Sequence, residues 1–212
     1  LKQNKGLEFP DYDSLWKWSV ENPADFWESF WTYAGVVSHD SFRRVMQKPA
    51  SGMIGTRWFE GSTLNYAEHI FRNANDRHPA IIFQAEDGKS TEISWKDLGS
   101  AVAKLAGWMR SAGVVKGDRV VSVMPNIPET VTAFLAAQSI GAIWSSCSPD
   151  FGNPSIIDRF LQVDPKVLFV TDGYIYNGKV YTKKGAWEEL RKSLIGLEQV
   201  VFYSYTDPGA LM

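Results

Sequence analysis

The most constraining stretch of this chain runs from Gly117 to Gly152, with the sequence GDRVVSVMPNIPETVTAFLAAQSIGAIWSSCSPDFG. A β-branched run over residues 119–124 predicts a buried strand, and Asn126 to Glu129 carry the start signals of a helix. Apolar residues at three- and four-residue spacing then predict about four helical turns, ending at Gly141. Ala142 to Ser146 is predicted to be a second buried strand. Because a helical connection of this length returns the chain in parallel, the stretch predicts a right-handed strand-helix-strand unit.

The pattern of this unit continues towards the C-terminus. The elements predicted after it are a helix opening at Asn153-Pro154, a strand over residues 167–170, a hairpin over residues 174–181, a helix over residues 186–194 and a strand over residues 199–204. Such alternation predicts an α/β fold, in which a mostly parallel sheet is flanked by helices. Ligands of such folds bind at the carboxyl ends of the strands, so residues 145–152 lie on the predicted ligand edge.

An aromatic helical leader precedes this core. Asp13 and Ser14 are predicted to cap a helix through Val20, and Asn22-Pro23 is predicted to open a second helix that ends near Tyr33. The apolar stripe of this second helix consists of Phe26, Trp27, Phe30 and Trp31. The stripe is expected to pack on its own domain, with docking onto another subunit as the alternative.

The leader is followed by a connection and then by the α/β domain. Pro49 and several glycines over residues 41–61 predict an irregular connection. Beyond it we predict a helix capped by Asn65 and Glu68, a hairpin around Asp87-Gly88, and a helix capped by Ser94. The expected organisation is a leader and connection over residues 1–63 and an α/β domain over residues 64–212. The domain is expected to be incomplete, because an open sheet rarely stops at a buried strand.

Composition excludes several classes of partner. The net charge is -2 and no basic patch is present, so neither nucleic acid nor an anionic membrane is an expected partner. The longest apolar stretch, residues 131–144, is too short and too polar to span a bilayer. Cys147 is the lone cysteine and the N-terminal residues do not resemble a signal peptide, so the predicted compartment is the cytoplasm.

The common catalytic and nucleotide-binding motifs are absent from the sequence. It contains no Gly-x-x-x-x-Gly-Lys-Ser/Thr phosphate loop, no Gly-x-Gly-x-x-Gly fingerprint and no Gly-x-Ser-x-Gly elbow. The three histidines stand apart from one another, so no metal site is predicted. Cys147 has no identifiable base beside it, which favours an inert thiol over a nucleophile. For Asp150, Asp158 and Arg159 a structural ion pair or helix cap is favoured, and for Lys179 a solvated surface position is favoured over a phosphate contact.

Several motifs resemble those of the adenylate-forming acyl-CoA synthetases. The central unit carries GDRV at residues 117–120, MPN at residues 124–126 and Gly141-Ala142. The aromatic helices and the run WFEGSTLNYAE at residues 58–68 are similar to the leader of acetyl-CoA and acetoacetyl-CoA synthetases. The motifs that look like the acetoacetyl-CoA synthetase branch are CSPDFG at residues 147–152, DRF at 158–160, PKVLF at 165–169, DGY at 172–174 and YNGK at 176–179.

This resemblance implies a function for the intact protein. An enzyme of this branch activates acetoacetate with ATP and Mg²⁺ to an acyl-adenylate, and CoA then displaces AMP to give acetoacetyl-CoA. The phosphate loop, the adenine contacts and the acylation lysine of the family would follow residue 212. The chain alone is therefore expected to be inactive, to hold no catalytic residue and to bind no metal. The alternatives are a segment of an acetyl-CoA or other short-chain acyl-CoA synthetase, and a free-standing binding or oligomerisation module that self-associates through the aromatic leader.

The resemblance also implies which residues bind CoA. In acetyl-CoA synthetases an arginine-rich stretch at the position of Tyr176 to Lys179 holds the CoA nucleotide, and the loop equivalent to Pro149 to Phe151 lies nearby. The implied cofactor-binding residues are therefore Tyr176, Asn177, Gly178, Lys179, Pro149, Asp150 and Phe151. Here Lys179 supplies a point charge in place of a bidentate arginine fork, and Tyr176 supplies no charge.

Overall fold

The computed structural model describes residues 5–183 and 185–210. Contacts between residues divide the chain into two compact units, Leu1–Asn65 and Tyr66–Met212. The boundary predicted from the sequence, between the leader with its connection and the α/β domain, lies between residues 63 and 64. Among the described residues, no helix has both the length and the apolar character needed to cross a membrane.

The first unit contains two helices and a strand pair. Helix α1, Tyr12–Glu21, begins after Asp11, whose carboxylate accepts a hydrogen bond from the backbone N–H of Ser14 at 2.8 Å. The predicted caps Asp13 and Ser14 were wrong, because Asp11, two residues before Asp13, is the residue whose carboxylate caps the helix. Helix α2, Pro23–Tyr33, has its proline in the first turn, as predicted.

The predicted irregular connection at residues 41–61 was also wrong in part. Strands β1, Arg44–Gln47, and β2, Arg57–Glu60, pair antiparallel within it. Phe59 adopts a positive φ of 46° and its ring lies 4.2 Å from that of Trp31, centroid to centroid. Packing against a helix earlier in the chain stabilises this strand pair, so the local sequence carried no signal of it.

The second unit holds the α/β core. Its elements are α3 (Tyr66–Phe71), β3 (Ile81–Gln84), β4 (Ser90–Ile93), α4 (Trp95–Ser111), β5 (Arg119–Val123), α5 (Pro128–Ser139), β6 (Ile143–Cys147), α6 (Asn153–Leu161), β7 (Val167–Thr171), β8 (Gly173–Tyr176), β9 (Lys179–Thr182), α7 (Ala186–Ser193) and β10 (Gln199–Tyr203). Strands β3 and β4 form the predicted antiparallel hairpin. Helix α4 is capped as predicted, since the Ser94 hydroxyl accepts from the Asp97 N–H at 3.0 Å.

The main sheet is parallel, which confirms the predicted fold class. Its strand order is β10-β7-β5-β6, with β5 paired to both β6 and β7. The helices between successive strands cover both faces, as the right-handed connection requires. Strand β6 was predicted to be buried, and this was wrong: Ile143 is 52% exposed. Among the described strands β6 pairs with β5 alone, so it lies at the edge of the sheet.

Each face of the sheet has its own hydrophobic core. Val120 and Met124 lie in the first core, with buried residues of α4 and α5 such as Met109 and Leu135. Val121 lies in the second core, with Phe160 of α6 and Leu190 of α7. Alternate residues of β5 therefore point to opposite cores, and the loops at the carboxyl ends of β5, β6 and β7 emerge together at one edge.

Candidate functional site

The loop after β6 forms one side of the predicted ligand edge. Pro149 is buried and Asp150 is exposed. The Phe151 N–H donates to the carbonyl of Ser148 at 3.2 Å and closes a turn. The guanidinium carbon of Arg159, on α6, lies 4.7 Å from the centroid of the Phe151 ring, which is a cation–π distance. Arg159 therefore orients the aromatic ring of the loop.

The hairpin β8–β9 forms the other side. It leaves the sheet directly after β7, and Tyr174 stacks on Tyr181 with ring centroids 5.1 Å apart. At its tip, Asn177 and Gly178 have φ angles of 50° and 70°, so the predicted type I′ turn is confirmed. At its foot, a Cβ on Gly173 would collide with the carbonyl oxygen of Tyr181. Both ends of the hairpin therefore depend on glycine, for different reasons.

Lys183 joins the foot of the hairpin to the loop. Its Nζ donates to the carbonyl of Phe151 at 3.2 Å and lies 6.0 Å from the centroid of the Tyr174 ring. Burial, followed by the charge of Asp150, raises the pKa of the Tyr174 phenol. The structure thus brings Phe151, Asp150, Tyr174 and Lys183 together in one neighbourhood.

The tip of the hairpin has a different neighbour. Tyr176 is 65% exposed, and Asn177, Gly178 and Lys179 are exposed as well. The N–H of Gly178 donates to the Glu86 carboxylate at 2.8 Å. The predicted site residues therefore fall into two groups: Pro149 to Phe151 beside the hairpin foot, and Tyr176 to Lys179 at the tip beside an acidic side chain.

The buried carboxylate of Asp172 holds the foot of the hairpin in place. Asp172, between β7 and β8, is 0% exposed and accepts backbone hydrogen bonds from Tyr205 at 2.6 Å, Thr206 at 3.0 Å and Asp207 at 2.7 Å. The Thr206 hydroxyl donates to the same carboxylate. Burial alone would raise the pKa of Asp172, but these hydrogen bonds outweigh it and lower the pKa below its ordinary value. Asp172 therefore clamps the segment after β10 to the start of the hairpin as a carboxylate.

Two further kinds of reactive group were considered for this edge, the Cys147 thiol and a cluster of side chains able to bind a metal ion. Cys147 is 6% exposed, and burial raises the pKa of its thiol although Arg159 opposes the shift. A thiol of raised pKa is a poor nucleophile, in keeping with the inert cysteine expected from the sequence. Within residues 5–183 and 185–210, no group of three or more His, Cys, Asp and Glu side chains is arranged to hold a metal ion.

Sequence reasoning missed the site roles of three residues: Lys183, Arg159 and Asp172. The signal for Lys183 was present in the hairpin itself, because the turn at Asn177-Gly178 pairs Gly173 with Thr182 and returns residue 183 to the sheet edge. Arg159 gave no such signal, because its contact depends on how α6 packs. Asp172 gave none either, because its partners lie more than thirty residues away.

The fold defines an α/β domain in which the loops at the carboxyl ends of parallel strands meet at one edge, and this is the edge at which ligands bind in such folds. Residues 69–208 match the family described as AMP-binding enzyme, and residues 12–70 match the acetyl-coenzyme A synthetase N-terminus. Because the first match covers more than half of the chain, the chain belongs to the AMP-binding enzyme family.

Individual relatives show which members of this family the chain is similar to. The chain is 41% identical over 203 residues to an acetoacetyl-CoA synthetase of Macaca fascicularis, a match that covers 94% of the chain and 30% of the relative. The relative in Rhizobium meliloti (strain 1021) is 38% identical over 206 residues, covering 97% of the chain and 31% of that protein. The solved acetoacetyl-CoA synthetase from Streptomyces lividans matches with a TM-score of 0.92 at 38% identity, covering 99% of the chain and 32% of that structure. The chain thus spans about 30% of the length of the curated relatives it matches.

Proposed function

We propose that this chain is the N-terminal segment of an acetoacetyl-CoA synthetase. The observation that carries the proposal is the agreement with the Streptomyces lividans enzyme, at a TM-score of 0.92 and 38% identity over 99% of the chain. The proposal concerns the intact protein, of which these residues form one part.

In the proposed reaction the acetoacetate carboxylate attacks the α-phosphorus of ATP and pyrophosphate leaves. The CoA thiolate then attacks the carbonyl carbon of the acyl-adenylate, and AMP leaves with the bonding electron pair. Mg²⁺ would neutralise charge on the ATP phosphates. The described residues offer no cluster for a metal ion, so no step is assigned to Mg²⁺ through them.

The part of the edge that we assign to CoA is the foot of the hairpin. Lys183 and Arg159 bring two cationic groups to the loop that carries Phe151. A phosphate beside these groups would gain charge-assisted hydrogen bonds. Lys179 directly follows Gly178, whose N–H donates to the Glu86 carboxylate, so a phosphate there would meet a negative charge. We therefore propose a strong phosphate contact at the foot and a weak one at Tyr176 to Lys179.

The test is substrate-dependent pyrophosphate release by the intact protein. With ATP, Mg²⁺ and CoA, we expect acetoacetate to give a higher kcat/KM than acetate or butyrate. A clear preference for acetate would overturn the assignment of substrate while leaving the ligase class in place. Pyrophosphate release that requires no carboxylic acid would overturn the ligase assignment. The absence of pyrophosphate release with every acid tested would overturn it as well.

Acetate is the second candidate substrate, because residues 12–70 match the acetyl-coenzyme A synthetase N-terminus. That match lies in the leader, whereas the matches named acetoacetyl-CoA synthetase run over 94% of the chain or more. The longer likeness favours acetoacetate.

The proposal also includes self-association of the protein through its leader and the compartment in which the protein is found. The leader exposes Trp16 at 57% and Phe30 at 47%, which is an apolar surface suited to another copy of the chain. We expect light scattering of the intact protein to report an oligomer that Trp16→Ser weakens, with Lys17→Ser as the control on the same helix. A monomeric intact protein would contradict this expectation. The proposed compartment is the cytoplasm, which cell fractionation checks.

A further inference from the structure

Asp172 holds two separate segments of the chain, one through its side chain and one through its main chain. Its buried carboxylate accepts backbone hydrogen bonds from residues 205–207, which follow β10. Its carbonyl oxygen accepts the backbone N–H of Lys183 at 2.7 Å and the Thr182 hydroxyl at 3.4 Å. Asp172 therefore joins the segment after β10 to the end of β9.

These two segments also pack tightly on either side of Gly173. A Cβ on Gly173 would collide with the carbonyl oxygen of Tyr181 and would lie 3.1 Å from the Thr206 hydroxyl oxygen. Interiors packed this closely transmit a displacement from one segment to the next. The position of residues 205–207 therefore affects where the backbone of Lys183 lies.

The ammonium group of Lys183 depends on that backbone position. Its Nζ donates to the carbonyl of Phe151 at 3.2 Å, and the residue is half-buried. A lysine carries its charge on a flexible four-carbon stem, so one hydrogen bond to a carbonyl does not fix the ammonium group by itself. The backbone hydrogen bond to Asp172 fixes the other end of the side chain, and the two bonds together define where a phosphate would meet the charge.

We propose that Asp172 is a positioning residue for CoA, which acts by placing the Lys183 ammonium group and does not itself touch the ligand. The inference rests on the proposed function, because that proposal assigns a CoA phosphate contact to Lys183. The Asp172 carboxylate is 0% exposed and its oxygens accept hydrogen bonds from residues 205–207, so CoA does not reach it.

The sign of the effect on CoA separates positioning from direct electrostatics. A buried carboxylate near a phosphate site repels the phosphate, so a change that only neutralised Asp172 would strengthen CoA binding. A change that displaced Lys183 would weaken it. In Asp172→Asn an amide NH₂ replaces one carboxylate oxygen and meets N–H donors, which loosens residues 205–207. We therefore expect the KM for CoA to rise.

The first test measures the two half-reactions of the intact protein separately. Adenylate formation is followed without CoA, as acetoacetate-dependent exchange of labelled pyrophosphate into ATP, and transfer to CoA is followed through the KM for CoA in the complete reaction. We expect Asp172→Asn to raise the KM for CoA about fivefold or more and to change the exchange rate by less than about twofold. A loss of exchange as large as the rise in KM would indicate a structural role alone and overturn the proposal. An unchanged or lowered KM for CoA would overturn it as well.

The second test asks whether Asp172 acts through Lys183. Lys183→Met alone should raise the KM for CoA about tenfold, and adding Asp172→Asn should raise it by less than about a further twofold, because the group that Asp172 places is then absent. If the effects of the two substitutions multiply, Asp172 acts on CoA by another route and the proposal is overturned.

A milder pair of variants provides the same comparison if Asp172→Asn does not fold. Thr206→Val removes only the hydroxyl that donates to the Asp172 carboxylate. Ser204→Ala removes a hydroxyl of the same segment that donates to the carbonyl of Ala210 at 2.8 Å instead. We expect Thr206→Val to raise the KM for CoA about twofold or more and Ser204→Ala to leave it unchanged. Equal values of KM in these two variants would overturn the proposal.

The failure of this inference and the failure of the proposed function give different results. If the wild type releases no pyrophosphate with acetoacetate, the proposed function fails and this inference fails with it. If the wild type is active with acetoacetate and Asp172→Asn keeps its KM for CoA, only this inference fails.

Discussion

The foot and the tip of the hairpin β8–β9 are built on different physical principles. The foot is held by distant partners: Asp172 accepts hydrogen bonds from residues 205–207, and Lys183 reaches the carbonyl of Phe151. The tip is held by local backbone preference, since Asn177 and Gly178 adopt the positive φ angles of a type I′ turn. The difference implies that changes at the foot disturb the ligand edge, whereas similar changes at the tip remain local.

The largest expected effect comes from a methyl group added at the foot. Gly173→Ala would drive a Cβ into the carbonyl of Tyr181, so the strand pair must separate at its root. We expect a loss of about 3 kcal/mol or more in the free energy of unfolding, as for other severe steric changes. Urea denaturation of the intact protein measures it.

The matched control is Gly178→Ala at the tip, where φ is +70° and a Cβ would meet nothing within 4 Å. Only the strain of an L-residue in this left-handed conformation is added there, which costs about 1–2 kcal/mol. Equal losses for the two variants would break the distinction between foot and tip.

The next effect concerns the charge of the clamp. Asp172→Asn removes an anion that receives hydrogen bonds from three successive backbone N–H groups and a hydroxyl. Hydrogen bonds to charged groups contribute about 1.5–3 kcal/mol, so we expect a loss of about 2 kcal/mol and faster proteolysis within residues 173–182. Asp158→Asn, on the exposed surface of α6, should change the stability by less than about 0.5 kcal/mol.

The same clamp predicts a pH dependence. Because folding lowers the pKa of Asp172, the stability that its carboxylate contributes is fully present above the ordinary carboxyl range. It should be lost as the pH falls below about 4 and through the lowered pKa. Urea unfolding between pH 7 and pH 3 should therefore show a steeper acid loss in the wild type than in Asp172→Asn. Parallel curves would show that the Asp172 carboxylate does not cause the loss of stability in acid.

A smaller effect is expected to distinguish the foot of the hairpin from its tip in the binding of CoA. We expect Lys183→Met to raise the KM for CoA about tenfold in the intact enzyme, which corresponds to about 1.4 kcal/mol. Lys179→Met, at the exposed tip, should raise it by no more than about threefold, because a solvated contact contributes little. Steady-state pyrophosphate release at varied CoA measures both. A larger effect at Lys179 would move the phosphate contact to the tip.

The smallest effect is confined to the tip. Glu86→Gln weakens the acceptor of the Gly178 N–H, an exposed hydrogen bond 2.8 Å long. Since a typical hydrogen bond contributes about 1 kcal/mol and this one becomes neutral instead of vanishing, we expect hydrogen exchange at Gly178 to accelerate about threefold. The exchange of Lys183 should stay unchanged, because its N–H donates to the carbonyl of Asp172 at the foot. Acceleration at both positions would couple the two ends.

The sequence predicted elements well where one local signal decides them. The β-branched run of β5, the proline at the start of α5 and the capping serine of α4 all appear where expected. Prediction failed where a distant partner decides: β1 and β2 pair through aromatic packing with α2, and β6 is exposed because it lies at the edge of the sheet. Edge position is a property of strand order, which hydrophobic pattern alone does not encode.

By itself, the sequence determined the alternation of strands and helices and the type I′ turn at Asn177-Gly178, because each depends on residues near one another in the chain. Only the tertiary structure decided the strand order β10-β7-β5-β6, the clamp of Asp172 on residues 205–207 and the meeting of Lys183 with Phe151. These contacts join residues about thirty positions apart, and such residues meet only when the helices between them have packed on the sheet.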